Sequence, residues 1–389
     1  MGRVSGYRKQ ITLYQRTADL IKQPPLRSSM DELPLDIVFD FFSRIPIEML
    51  FRFRCVSKLW CNMIDHPSLA IMHITRATEG PTPLLLSDPM PGKSTMSIYL
   101  AREKGRTLET RVNPLVEFDL NSFHTEGSCN GLLYFAEFAG EGIVTLSNPL
   151  RREFQRLPPI KILSPNLRRF KTYGLGFDIS TNTFKMICVF LVTLNSEASG
   201  YSLGTLVHTL KTSSWKEISE VPPYPIRGKP VFAYGALHWI VDPLFVSHNL
   251  IVSFDVGKEK FNSISLANFD SKDSNLFRLV DLNGDLGMTD LSSNEKIEIW
   301  VMKDYAKKEW VRKYIIYIGA PDGKPDNGHI EVVGLWKHGE ILLRSSEGYF
   351  FYSKEKGLRY TQTSGIKLNS SVYIYRKSLV SLSKVMEVL

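Results

Sequence analysis

From residue 123 onward one pattern keeps returning in this chain of 389 residues: a strand, a polar turn, and a second strand that opens on an aromatic residue. The copies are Val144–Phe154, Leu206–Trp215, Ile251–Phe261, Ile297–Trp310 and Tyr349–Tyr360. Most follow another apolar strand introduced by glycine, as in Gly131-Leu132-Leu133-Tyr134-Phe135, Gly235-Ala236-Leu237-His238-Trp239-Ile240 and Gly339-Glu340-Ile341-Leu342-Leu343. The aromatics Phe261, Trp310 and Tyr360 recur at about fifty residues, the length of a four-stranded propeller blade. The longer step from Phe154 to Trp215 is assigned to loops around Pro165 and Gly200. One such unit cannot bury both its apolar faces, whereas radial stacking buries them and leaves only short protected edges.

Five blades fit between residues 123 and 363. A sixth is expected from N-terminal strands (Leu84–Leu86 and Ser97–Leu100) paired with a C-terminal one (Val372–Tyr375). The expected fold of residues 82–383 is therefore an all-β, six-bladed β-propeller closed by N- and C-terminal strands. An open sandwich or irregular β domain is the alternative.

Residues 31–77 follow a different, helical pattern. Pro34 and Pro46 stand where helix-opening prolines belong, because the missing N–H would be unpaired there anyway. Asp31 and Glu32 suit the positive end of the first helix. Ser57 is a candidate N-cap for a third helix running to about Asp65, and Pro67-Ser68 starts a short fourth segment. The apolar residues Leu35, Ile37, Val38, Phe39, Phe41 and Phe42 are too many for one face, since a surface helix needs a stripe only about 100° wide. Met49, Leu50, Phe51, Phe53, Val56, Leu59 and Trp60 continue the excess. A unit this small, apolar on two faces, requires partner protein on one of them. That partner is either the β domain of the same chain or a separate helical subunit.

Composition removes several function classes. Most of the net charge of +8 sits in residues 1–30, which read as a disordered basic leader rather than a transit peptide. The balanced remainder argues against a nucleic-acid-binding face. No apolar run is long enough to cross a bilayer, so no membrane partner is expected. The cysteines Cys55, Cys61, Cys129 and Cys188 form no C-x-x-C pair and no disulfide framework, which favours a reducing compartment, cytoplasmic or nuclear.

Catalytic, metal and cofactor signals are weak throughout, and none of the three is expected. Gly174-Leu175-Gly176 lacks the third glycine and following helix of a dinucleotide site and is read as a tight turn or bulge. Asp281-Leu282-Asn283-Gly284-Asp285 starts like a calcium loop but misplaces its glycine, and reads as a hairpin turn. His238 reads as a satisfied, partly buried strand residue. Cys129 is the one cysteine worth weighing for reactivity, with no base identified beside it.

Leu33-Pro34-Leu35-Asp36-Ile37-Val38, Ile45-Pro46, Leu50, Phe53-Arg54-Cys55-Val56-Ser57-Lys58-Leu59-Trp60 and Leu69 together resemble the F-box as it appears in plant proteins. Ile45 replaces the commoner leucine there. Gly127-Ser128-Cys129-Asn130-Gly131-Leu132-Leu133, Asn148-Pro149, Gly174–Asp178 and Gly235–Trp239 are similar to the plant F-box-associated interaction domain. The resemblance implies a substrate-recognition subunit of an SCF-type ubiquitin ligase. In that reading the helical module docks on a Skp-type adaptor, and through it on cullin and RING subunits. The β domain presents a protein substrate for ubiquitination and degradation, and the chain itself performs no bond chemistry. The resemblance carries adaptor binding onto Leu33, Pro34, Ile37, Ile45, Pro46, Leu50, Val56 and Trp60, with a core role left open for Leu50 and Val56. Substrate contacts are expected in inter-strand loops, with Arg168 and Arg169 in Lys161–Lys171 as one candidate and Pro321–Gly328 as another. A β-propeller enzyme or scaffold with a merely structural helical front end is the competing reading.

Overall fold

The computed structural model describes residues 33–76, 82–87, 95–104, 107–110, 115–119, 123–137, 142–160, 171–195, 200–245, 250–266, 276–318, 330–346, 348–364 and 371–386. The leader 1–30, the candidate pair Arg168 and Arg169, and Pro321–Gly328 lie outside the described residues.

Among the described residues, four helices come first: α1 (Leu35–Phe42), α2 (Ile47–Phe53), α3 (Lys58–Ile64) and α4 (Pro67–Arg76). Pro34 and Pro46 occupy the N-cap positions of α1 and α2, and their carbonyls accept the first helical N–H groups. The Ser57 hydroxyl accepts the Trp60 N–H at 3.1 Å, so α3 is capped where the sequence placed the cap. Inward faces are Val38, Phe39 and Phe42 from α1, Ile47 and Leu50 from α2, Met63 and Ile64 from α3, and Leu69, Ala70 and His73 from α4. Trp60 packs its ring against Phe42 and Phe53, at centroid distances of 5.4 and 5.3 Å.

The β domain is a propeller of five sheets, not the six separate blades expected from the repeats. Four are four-stranded meanders covering 123–156, 171–218, 226–265 and 277–317. The hairpins read from the sequence form the outer half of each sheet. The closing strands also pair as expected, with Leu85 opposite Tyr99 on one side and Val372 on the other. They do not stand as a sheet of their own, because strand Thr95–Lys104 is long enough to take two neighbours. Its first half pairs with Val116–Asp119 and its second half with Thr107–Thr110. Thr107–Thr110 then adds in parallel to Gly357–Ser364, with Gln362 opposite Thr107. That contact covers an edge which would otherwise carry unpaired backbone groups, and it fuses the closing strands with 331–364 into one nine-stranded sheet.

The ring itself is closed. Each sheet's inner strand touches the next, from 123–129 through 171–178, 226–233, 277–282 and 331–335 to 371–375, which returns to 123–129. Apolar side chains fill the wedges between sheets, as where Trp239, Phe254 and Val256 of the third sheet meet Ile187, Val189 and Val207 of the second. Phe154, Phe261 and Trp310 lie on the edge strands of their sheets and Tyr360 on the strand that Thr107–Thr110 covers, and Phe154 and Tyr360 are each 57% exposed. The burial falls instead on the middle strands, such as Ala236–Val241.

Gly174 and Gly176 overturn the turn-or-bulge reading. They sit mid-strand in unbroken register with Ile187 and Lys185. A Cβ on Gly174 would stand 2.7 Å from the Leu237 side chain, and one on Gly176 would stand 2.5 Å from Val256. Glycine is needed there because the third sheet packs directly onto the backbone of the second. Asn283 and Gly284, by contrast, make the hairpin turn that was read from them, both with positive φ (66° and 95°).

Candidate functional site

The helical module has one face that packs inward and another that does not. Ile37 and Phe41 lie four residues apart on one stripe of α1, and Leu33 stands just before the helix; the three are exposed by 53%, 57% and 44%. Leu35 on α1, Met49 on α2, and Val56 and Leu59 around the start of α3 are exposed as well, Val56 most of all at 64%. Pro34 and Pro46 are also exposed, at the openings of α1 and α2.

Of the eight residues singled out from the sequence, the structure thus leaves Leu33, Pro34, Ile37, Pro46 and Val56 outward. Ile45 and Trp60 are half-buried. Ile45 turns its carbonyl to His73 Nε2, 3.1 Å away. Leu50 is fully buried, within the apolar cluster that the helices share with the β domain. Leu35, Phe41, Met49 and Leu59 were visible as apolar excess but were not assigned to the face. The signal for Phe41 was its place four residues after Ile37, one turn along the same side of α1.

The opposite face is occupied by the β domain. One continuous apolar cluster runs from Phe39, Phe42 and Leu50 through Cys129, Leu132 and Tyr134 to Leu379 and Leu382. Polar contacts lock the same junction. Arg151 sits in the last turn of the first sheet, and its side chain is 5% exposed. Its Nη1 and Nη2 donate to Asp65 Oδ1 at 3.0 and 3.1 Å, and its Nε donates to Glu153 Oε1 at 2.8 Å. Nη1 also donates to the Leu379 carbonyl at 3.3 Å. Arg54 adds a bond of 2.7 Å to the other Asp65 oxygen. Burial works against the charge on Asp65, but the bonds from Arg54 and Arg151 outweigh it and hold the carboxyl below the usual aspartate range.

Asn148, three residues before Arg151, is fully buried and completely satisfied. Its Nδ2 donates to the carbonyls of Ser378 and Val380 at 3.1 and 2.7 Å, and its Oδ1 accepts from the Tyr375 hydroxyl and the Leu150 N–H. Glu153 receives the Leu382 N–H at 2.6 Å, where a last short helix, α5 (Leu382–Met386), begins. This C-terminal segment, unread from the sequence, is clamped between the first sheet and the helical module.

The groups weighed for chemistry are occupied by the core. Burial pushes the Cys129 thiol well above its usual range, so it holds its proton. His238 is fully buried, with one ring nitrogen 3.2 Å from the Val231 carbonyl and the other 3.1 Å from the Tyr305 hydroxyl. Burial drives its pKa down to about 4, so the ring is neutral near pH 7.

Residues 93–381 match the family model described as the F-box associated beta propeller domain, and residues 30–71 match the F-box domain. The chain belongs to the F-box-associated propeller family. Its relatives include two Arabidopsis thaliana proteins that are each 27% identical. One is an F-box protein matched over 81% of this chain and 83% of its own length. The other is F-box protein CPR1, matched over 74% and 73%. In this F-box protein the family boundary falls at the junction just described, with the F-box helices on one side and the propeller on the other.

Proposed function

We propose that this chain is a substrate-recognition subunit of an SCF-type ubiquitin ligase, docking a Skp-type adaptor on the outward face of its F-box. The adaptor would bridge it to cullin and RING subunits, and the propeller would hold the protein to be ubiquitinated and degraded. One observation carries the reading. The inner face of the F-box is already filled by the propeller, yet Leu33, Ile37, Phe41 and Val56 remain exposed. Of the two partners the sequence left open, the β domain takes one face, and the apolar stripe is left for a separate subunit. The chain acts by proximity, raising the local concentration of substrate lysines near activated ubiquitin on another subunit. Its four cysteines are all free, which suits the reducing cytoplasm or nucleus where such a ligase would work.

Trp60 supports the module from within, so changing it would confound binding with folding; the surface residues give the cleaner test. Ile37→Asp combined with Val56→Asp, in the full chain co-expressed with adaptor, is expected to weaken adaptor binding at least about a hundredfold, since two unpaired carboxylates would enter an apolar interface. The melting temperature of the free chain should stay the same. Undiminished co-purification of adaptor with the folded double variant would refute the assignment.

A further inference from the structure

The turn that carries Arg151 has a counterpart in each of the other sheets. Between their third and fourth strands (in the fifth, those of its 331–364 part) stands an exposed lysine: Lys211, Lys258, Lys307 and Lys354. Lys258 and Lys307 keep 79% and 78% of their side-chain surface in solvent. Arg151, at the matching place of the first sheet, keeps 5%. Its guanidinium spends four of its five N–H groups on three parties far apart in the chain. These are Asp65 at the end of α3, Glu153 on the first sheet, and the Leu379 carbonyl of the C-terminal segment. A lysine there would offer one mobile point charge. The planar fork of an arginine sends its donors out in fixed directions, so the bodies it joins are held at one angle.

The contacts around Arg151 act in the same sense. Phe51 of α2 lies against two cations, its ring centroid 6.0 Å from Arg151 Cζ and 5.8 Å from Arg54 Cζ. Lys377 pairs with Glu48 at the start of α2, and the Ser381 hydroxyl donates to Glu153 Oε1 at 3.2 Å. The C-terminal segment thereby grips both the F-box and the first sheet. The covalent link supplies no such restraint. Residues 77–81, which join α4 to strand Thr82–Ser87, have a sequence length that could extend about 20 Å. A propeller held by that link alone would swing through many angles. On the F-box side a single helix carries both faces, with Ile37 and Phe41 outward and Val38, Phe39 and Phe42 inward. A helix is only about 10 Å across, so an angle fixed at the inner face is carried to the outer one.

We infer that Arg151 is a positioning residue of the ligase: it fixes the angle between F-box and propeller, and so selects which lysines of the propeller and its substrate reach the ubiquitin carried by another subunit. The selection of lysines rests on the receptor reading above; the fixed angle does not. Effective concentration is high for sites that a rigid geometry brings together, and it spreads over more sites as the tether loosens. The turn lysines, one set in each of four sheets, serve as a ruler around the ring.

Two readouts on the full chain test the inference. In the first, spin labels on Cys55 of the F-box and on Lys258→Cys of the third sheet, in a Cys61→Ser background, report the distance distribution between the two bodies. One narrow peak is expected, and Arg151→Met with Asp65→Asn should widen it at least about twofold. An unchanged width, or a broad distribution before any change at Arg151, overturns the inference. In the second, the adaptor-bound chain is assembled with cullin, RING subunit and charged conjugating enzyme, and its own ubiquitinated lysines are mapped. Modification should concentrate on one or two neighbouring turns, and that share should fall at least about threefold in the double variant at equal adaptor content. An even spread in the unaltered chain, no modified turn lysine, or the same map in both overturns the inference. A Gly-Ser-Gly insertion after residue 79 should leave both readouts unmoved; a shift would transfer the role to the link. Ile299→Val, in the apolar core of the fourth sheet, lowers the melting temperature away from the junction and should keep the map, whereas a map that spreads there too reduces Arg151 to stability. Widened distances in a chain that binds no adaptor sink the receptor reading alone, and an adaptor-bound chain with unmoved distances sinks the positioning role alone.

Discussion

The F-box junction and the inner cavity of the propeller carry similar residues in different settings. At the F-box end, Arg151, Asp65, Glu153 and Asn148 spend their hydrogen-bonding capacity on one another and on the C-terminal backbone, and apolar packing surrounds them. Among the inner strands, Arg227, Lys229, Arg278 and Arg344 line a cavity of about 630 Å³. The first arrangement fixes one body against another, because removing any member strands a buried partner. The second borders open space rather than a packed seam.

The sharpest way to break that contrast is Arg151→Met. It would leave Asp65 and Glu153 facing each other without their shared cation, and the expected loss is about 3 kcal/mol of stability in a denaturant titration. Adding Asp65→Asn should restore part of it; a loss below about 0.5 kcal/mol would show that the junction is loose. Asn148→Ala is expected to cost about 2 kcal/mol, because the buried carbonyls of Ser378 and Val380 lose their donor. Hydrogen exchange should then rise first in residues 376–386.

Acid gives a smaller and more local effect. The folded-state pKa of Asp65 is lowered, so its contribution is fully present above the ordinary aspartate value and is lost as pH falls through the lowered one. Melting temperature followed from pH 7 downward (on the pH scale of about 4 and below) should fall less in Asp65→Asn than in the wild type over that window. A parallel pair of curves would remove Asp65 from the account. The smallest change is expected in the cavity wall. Arg278→Gln should shift stability by less than about 0.5 kcal/mol, since the side chain is exposed in the cavity. A larger loss would make the cavity a structural network like the junction.

Local chemistry was legible in the sequence. Helix starts at Pro34, Pro46 and Ser57, the Asn283-Gly284 turn and the strand–turn–strand copies each depend on residues close together in the chain. The F-box face was half legible. Apolar excess showed that two faces existed, but Leu50 in α2 and Val56 in the turn after it could not be told apart, since both are apolar and close together in the chain. Arg151, Asp65 and Glu153 were missed because charged residues beside a turn are common and nothing nearby marks them as partners.

The sequence by itself determined the elements: short-range sterics, capping and the alternation of apolar residues decide where a strand or helix starts, turns and stops. Tertiary structure alone decided what those elements share. Gln362 meeting Thr107 turned six expected blades into five sheets, and Leu237, Trp239 and Val256 explain why Gly174 and Gly176 must lack side chains. Asn148 finding Ser378 and Val380 built the floor beneath the F-box, and Arg227, Arg278 and Arg344 came to line one cavity. Each of these is a contact between residues far apart in the chain. Its geometry follows from how the sheets close into a ring, and no local pattern encodes that closure.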